Sequence, residues 1–322
     1  MKGEIYLVIL FSARMSTKHQ EALKQKYPDL TFIFSDRMPE AKKELPHADI
    51  IVTYGEDLND ELISQAEKLK WIMVISAGLD QMPFKAIAER GIMVTNVRGI
   101  HKVPMAEYAI SMLLQVYRQE KQLITNEKEA VWDRSVRMKE ITGRKMIVLG
   151  TGAIGQEVAR LAKAFQMTTY GVSRSGRPVD YFDETYKIDE LDQLLPKADF
   201  IVSVLPSTKE TKYLLTDDHF SMMNNEAVFL NMGRGDLVRS STLIKAIQAN
   251  EIAHAVLDVM EEEPLPEDHP FWKEENVTIT PHLSGISPNY VPRALDIFEQ
   301  NLNKFLKDEK DFINQIDVSR GY

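Results

Sequence analysis

Cysteine is absent from the 322 residues. That excludes disulfides, thiolate metal centres and a cysteine nucleophile together. It fits a reducing compartment, so a cytoplasmic location is expected, with a cysteine-free secreted protein as the alternative. Positive charge is also scarce: 39 Lys and Arg stand against 48 Asp and Glu, a net charge of -9. A basic surface for nucleic acid or anionic lipid is therefore not expected. Long apolar runs are missing too. Residues 5–11 are too short to span a membrane and no small-residue cleavage site follows, so they read as a first strand. Neither a fixed-period repeat nor a low-complexity segment occurs.

What remains is a soluble composition, with 44% hydrophobic residues, in a chain long enough for two compact domains. Apolar runs of strand length alternate with helical stretches. Strands are expected at 5–11, 30–34, 49–53, 71–75 and 92–94, with a polar helix at 16–27. A second series follows at 146–149, 168–172, 200–204, 227–231, 253–257 and 277–280. Such alternation predicts α/β architecture with parallel sheets covered by helices. Two segments differ. Residues 104–120 are apolar around most of a helix circumference and must be buried on several sides, within the chain or against a second copy. Residues 126–142 are polar, with Trp132 expected as an anchor. An amphipathic helix at 291–307 is expected to pack back on the first domain.

The most telling motif is Gly150-Thr151-Gly152-Ala153-Ile154-Gly155, between the apolar run 146–149 and the amphipathic run 156–165. Alone, three glycines could mark a structural turn. Between a strand and a helix they fit a dinucleotide site: a tight turn, close backbone approach to pyrophosphate and close helix–strand contact. The first helical turn, with Ala153 and Ile154, then presents free N–H groups to phosphate. An NAD site usually carries Asp or Glu about 20 residues on, for the ribose 2′-hydroxyl. Here that position reads Ser173-Arg174-Ser175, followed by Gly176 and Arg177. If it is more than a solvated basic turn, it suits a 2′-phosphate, so NADP is the expected cofactor, with NAD as the alternative.

Three further motifs sit at the carboxyl ends of expected strands, where parallel sheets place their ligand crevices. They are Asn231-Met232-Gly233-Arg234-Gly235, Asp258 with Glu261-Glu262-Glu263-Pro264, and Thr280-Pro281-His282-Leu283-Ser284-Gly285. Tyr54 and Gly55 end an earlier strand and are expected to line the same crevice, with Trp272 and Met232 as apolar walls. Of the seven histidines, His19, His47, His219 and His269 lie in polar stretches and read as surface. His101, in the turn before the long helix, could approach the crevice but reads first as structural.

Together these motifs make the chain similar to the D-isomer-specific 2-hydroxyacid dehydrogenase family over nearly its whole length. Ser76-Ala77-Gly78-Leu79-Asp80, Thr95-Asn96, Ala106-Glu107, Leu205-Pro206-Ser207-Thr208-Lys209-Glu210-Thr211 and Arg320-Gly321-Tyr322 also match. The Ser-Arg-Ser turn looks most like the glyoxylate/hydroxypyruvate reductases. The resemblance implies reduction of a small 2-keto acid to the D-2-hydroxy acid with NADPH. Arg234 would bind the substrate carboxylate and carbonyl oxygen, and His282 would donate the proton. Glu263, the glutamate immediately before the proline, would hold His282 and favour its charged form. Gly78 and Leu79 would offer N–H groups to substrate. Leu205, Pro206, Thr211, Met232, Gly233, Arg234, Asp258, His282 and Gly285 would line the cofactor site with the glycine turn. His254 stands where the family usually has glycine and receives no role from the sequence.

The implied fold is two doubly wound parallel-sheet domains, a Rossmann nucleotide domain (100–291) inserted in a flavodoxin-like substrate domain (1–99 with 292–322). The cleft between them is expected to close on binding. A homodimer built on 104–120 is the expected assembly, with no nucleic-acid or membrane partner. A nucleotide-sensing, corepressor-like binding protein is the alternative, since such proteins share both the fold and the Arg-Glu-His set. Formate or phosphite dehydrogenases usually use NAD and fit Arg174 poorly. An L-specific lactate-type enzyme has its nucleotide fold first in the chain, unlike this one.

Overall fold

A computed structural model describes residues 7–76, 79 and 81–318. The start of the expected first strand, Gly78 and the Arg320-Gly321-Tyr322 motif lie outside the described residues. The chain divides into two compact units. One holds the described residues up to Ile100 and those from Pro288 onward; the other is His101–Ser287.

The first unit contains β1 (Val8–Phe11), α1 (Thr17–Lys26), β2 (Thr31–Phe34), α2 (Met38–Ala41), β3 (Ile50–Thr53), α3 (Asp60–Gln65), β4 (Trp71–Val74), α4 (Phe84–Glu89) and β5 (Met93–Asn96). Its sheet is parallel throughout, in the order β2-β1-β3-β4-β5. Both faces are covered, which is why β3 and β4 read as unbroken apolar runs. Alternate side chains feed different cores: Ile9, Phe11, Ile50, Val52, Trp71 and Met73 enter one, while Leu10, Ile51, Ile72 and Val74 enter the other.

The second unit contains α5 (Lys102–Tyr117), α6 (Glu120–Lys128), β6 (Lys145–Leu149), α7 (Ala153–Ala164), β7 (Thr168–Ser173), β8 (Glu184–Lys187), β9 (Phe200–Ser203), α8 (Asp217–Met222), β10 (Val228–Asn231), α9 (Ser240–Gln248), β11 (His254–Leu257) and β12 (Val277–Ile279). Its seven strands run parallel in the order β12-β11-β10-β9-β6-β7-β8. Strand order reverses between β6 and β9, the point where open α/β sheets hold their ligands. Strand β8, Glu-Thr-Tyr-Lys, has no apolar period and lies at one border. At the other border Lys121 Nζ donates to the Val277 carbonyl at 2.6 Å.

The last helix, α10 (Tyr290–Leu306), belongs to the first unit. Its apolar residues at 291, 294, 295, 298, 302 and 305 recur at helical spacing. Pro292 falls in the first turn, where a missing N–H costs nothing. Phe298 is fully buried, edge-on to Phe11 and stacked on Trp71 at 5.6 Å between centroids. From within the helix, buried Asn301 binds both backbone groups of Ile313, and further on Gln315 bridges to Thr95 of β5.

Two expectations need correction. The long helix begins at Lys102 and ends at Tyr117, because Gln119 takes φ 55° and starts a new helix. Trp132 anchors nothing among the described residues: it is 93% exposed, in a segment without regular structure. Among the described residues no helix is long and apolar enough to cross a membrane, and no cluster of metal-ligating side chains occurs.

Candidate active site

The loops that leave the carboxyl ends of β6, β7, β9, β10, β11 and β12 carry the candidate residues of the second unit. Gly150 has φ +106°, a conformation that L side chains rarely adopt, and a Cβ there would also meet Val204 at 3.0 Å. Gly155, one turn into α7, is packed so closely that a Cβ would lie 1.9 Å from the Gly150 carbonyl oxygen. Gly152 differs. It is the N-cap of α7, makes no capping side-chain bond, and a Cβ there would meet nothing within 4 Å. Gly152 and Ala153 are exposed while Ile154 packs partly into the core. An uncapped twelve-residue helix start beside open space fits a pyrophosphate.

After β7, the Ser173 hydroxyl accepts from Gly176 N at 3.2 Å and that of Ser175 from Arg177 N at 3.5 Å. Arg174 is exposed and makes no ion pair among the described residues. The chemistry of this turn therefore fits a phosphate and offers no carboxylate to a ribose. After β9, Leu205 and Thr211 are buried, and the Thr211 hydroxyl donates to the Pro206 carbonyl at 2.6 Å. That bond helps close the loop after β9, which leaves the strand at Val204 beside Gly150.

After β10, buried Asn231 braces the next turn. Its amide donates to the Arg234 carbonyl at 2.9 Å and its oxygen accepts from Gly233 N at 3.2 Å. Gly235 passes so near the β11 loop that a Cβ would stand 1.7 Å from the Met260 carbonyl oxygen. Arg234 is exposed; among the described residues it donates only to the neighbouring Gly233 carbonyl, at 2.7 Å, and has no carboxylate partner. Met232 is 2% exposed and sits in the core beneath the sheet, so it forms no open wall.

The β11 and β12 loops bring the acid and the imidazole together. Glu263 Oε2 lies 2.9 Å from His282 Nδ1, and Oε1 accepts from Met260 N at 3.0 Å. Of the other two glutamates, Glu261 is turned away: Ser240 N donates to it at 2.9 Å and Tyr213 OH at 3.0 Å. The Ser240 bond leads in holding its carboxyl below the ordinary range. Glu262 has no contact with His282. His282 itself has φ 55° and donates its N–H to the Asp258 carbonyl at 2.9 Å. Asp258 is fully buried, and its carboxylate accepts from Leu283 N, Ser284 N and the Thr280 hydroxyl. Gly285 approaches His101, whose Nδ1 lies 3.3 Å from the Gly285 oxygen. Register pairs Asn231 with Leu257 and Leu257 with Ile279, so the Arg234 and His282 loops flank the Glu263 loop on one edge of the sheet.

The remaining residues singled out from the sequence lie elsewhere. Trp272 lines a groove of about 840 Å³ with Met112, Lys121 and His254, at the amino ends of β11 and β12 rather than among these loops. His254 is explained there: it is largely buried with Nε2 2.8 Å from the Thr278 hydroxyl. Burial first, and Lys121 second, push it down to about 4. In the first unit, Tyr54 ends β3, is 39% exposed, and its carbonyl accepts from the Ser76 hydroxyl at 2.8 Å; Leu79 is buried.

A seven-stranded parallel sheet with a glycine turn at its reversal point is the architecture of dinucleotide-binding α/β domains. Residues 110–284 match the model of the D-isomer specific 2-hydroxyacid dehydrogenase, NAD binding domain. The chain belongs to that family of NAD(P)-dependent oxidoreductases. It is 30% identical over 297 residues to a D-3-phosphoglycerate dehydrogenase of Methanocaldococcus jannaschii, covering 90% of this chain but only 56% of that protein. It is 29% identical to a glyoxylate reductase of Korarchaeum cryptofilum, covering 88% and 89% of the two chains. A D-isomer specific 2-hydroxyacid dehydrogenase family protein from Aeromonas salmonicida shares 35% identity and a TM-score of 0.84, over 97% of this chain and 99% of that one.

Sequence reasoning assigned no role to Asn231, Tyr108 or Thr280. Asn231 is the lone polar residue closing an apolar strand, which is a signal that could have found it, whereas Tyr108 sits beside Glu107 in an apolar helix and Thr280 opens a motif otherwise explained.

Proposed function

We propose that this chain reduces a small 2-keto acid of the glyoxylate or hydroxypyruvate kind to the D-2-hydroxy acid, preferring NADPH. The pairing of His282 with Glu263, beside a cation without a carboxylate partner, carries the reading. When bound, the reduced nicotinamide supplies the hydride. Arg234 holds the substrate carboxylate and carbonyl oxygen, and stabilises the charge that builds there. Nδ1 of His282 faces Glu263, so Nε2 is the nitrogen that gives the oxygen its proton. Glu263, itself anchored on Met260 N, fixes ring tautomer and orientation. Gly150, Gly152, Ala153, Ile154 and Gly155 hold the pyrophosphate. Arg174, with Ser173 and Ser175, holds the 2′-phosphate as a guanidinium fork. Substrate contacts from Gly78, Leu79 and Tyr54 of the first unit rest on the family resemblance alone. The second unit is thus the nucleotide domain and the first the substrate domain.

The assembly is proposed to be a homodimer through α5. One face of this helix packs on α7, while Met112 and Leu114 line open grooves. Trp132, Val131 and Met138, exposed on the extended segment, offer a second copy an apolar arm of matching character. A two-fold axis lets each arm meet the other's groove.

The test is a kinetic panel of glyoxylate, hydroxypyruvate and a phosphorylated keto acid against NADPH and NADH. Wild type is expected to turn over the unphosphorylated acids with NADPH, and His282→Ala to bind nucleotide without turnover. A wild type that binds nucleotide yet reduces no 2-keto acid overturns the reading. NADH favoured by more than about tenfold overturns the cofactor assignment.

A further inference from the structure

We propose that Tyr108 and Thr280 are positioning residues that hold the His282 turn through the buried Asp258 carboxylate; the inference rests on the proposed role of His282 as proton donor. Asp258 is 0% exposed and pairs with no cation among the described residues. A buried carboxylate must have its lone pairs satisfied by donors. Three do so: the Thr280 hydroxyl at 2.5 Å, Leu283 N at 2.8 Å and Ser284 N at 3.0 Å. Two of these are the N–H groups that directly follow His282, while the Asp258 carbonyl accepts from His282 N. One residue therefore grips the turn on both sides of the imidazole.

The grip is needed because His282 has φ 55°, a left-handed conformation that a non-glycine residue keeps only when its surroundings impose it. Thr280 has a single hydroxyl proton, and it goes to Asp258. The Tyr108 hydroxyl, 2.7 Å away, must then donate to Thr280 Oγ1. Burial pushes the Tyr108 hydroxyl far above its ordinary value, so it stays a donor at any working pH. A chain of directed hydrogen bonds thus runs from the middle of α5 to the turn that carries the proton donor. It fixes where the donor stands without touching substrate.

The test separates placement from folding and from binding. Thr280→Val is expected to lower kcat about tenfold, with KM for the keto acid and Kd for NADPH within about twofold, since misplacing a donor by a fraction of an ångström acts on the chemical step. Thr280→Ser keeps the hydroxyl and is expected to recover to within about threefold of wild type. Tyr108→Phe is expected to lower kcat about threefold alone and to add nothing in the Thr280→Val background, as two links of one chain should. Additive losses, a loss confined to KM, or a serine variant no better than valine overturns the proposal. If His282→Ala is inactive while both Tyr108 and Thr280 variants match wild type, this inference falls and the proposed reaction stands. A wild type that reduces no 2-keto acid sinks both.

Discussion

Two glycines of one turn should fail in opposite ways when each is changed to alanine. At Gly155 the new Cβ would stand 1.9 Å from the Gly150 carbonyl oxygen, whereas ordinary contact begins near 3.4 Å. The opposing atom is backbone, so α7 must retreat by roughly 1.5 Å from the strand it covers, and overpacking of this kind costs about 3 kcal/mol. For a unit of this size that lowers Tm by about 6–12 °C. At Gly152 the Cβ meets nothing within 4 Å, and the residue's φ of -75° is open to any L residue. Gly152→Ala should therefore melt within about 2 °C of wild type. Its methyl would instead occupy the space against which pyrophosphate packs, raising the Kd for NADPH at least about tenfold, or ~1.4 kcal/mol. Thermal melts followed by circular dichroism, and calorimetric titration with NADPH, read the two effects separately. A Gly152→Ala protein with wild-type affinity, or a Gly155→Ala protein with wild-type Tm, would refute the reasoning.

Other measurements bear on separate parts of the molecule. Arg174→Ala should lower kcat/KM with NADPH by about 10- to 100-fold while leaving NADH within about threefold, since a charge-assisted phosphate contact is worth ~1.5–3 kcal/mol. Equal losses with both cofactors would remove Arg174 from the 2′ position. His254, held at about 4 when folded, titrates near its ordinary value when unfolded. The folded state then binds fewer protons, so stability is full above about pH 6.5 and falls as pH drops toward 4, by up to ~3 kcal/mol. His254→Gln should flatten that window in urea titrations; an unchanged slope would assign the acid sensitivity elsewhere. Trp132→Asp should shift the molecular mass in light scattering from dimer to monomer without altering the melt of the single chain, and a wild type already monomeric would end the assembly proposal.

The fold was legible wherever burial dictated sequence. Every strand with both faces covered had to be apolar, so 50–53, 71–74 and 200–203 announced themselves. Strand β8 did not, because a border strand of Glu-Thr-Tyr-Lys is placed by its ladder to β7 rather than by its own burial. Trp132 misled for the converse reason: a large aromatic implies a buried partner, yet nothing among the described residues covers it. Among Glu261, Glu262 and Glu263 no local pattern could choose, and resemblance chose Glu263. The structure gives a physical reason, since Tyr213 and Ser240 occupy Glu261 while Glu263 alone reaches the imidazole. Tyr108 was hidden in an apolar helix, where a tyrosine reads as packing until its hydroxyl is seen to point at Thr280.

Both borders of the seven-stranded sheet are guarded against strand pairing with another copy. A bare strand edge invites pairing with a neighbour, which leads to open-ended stacking. One border here presents a glutamate and a lysine, and the other has its Val277 carbonyl occupied by the Lys121 ammonium. Growth by backbone pairing is thus discouraged at both ends of this sheet.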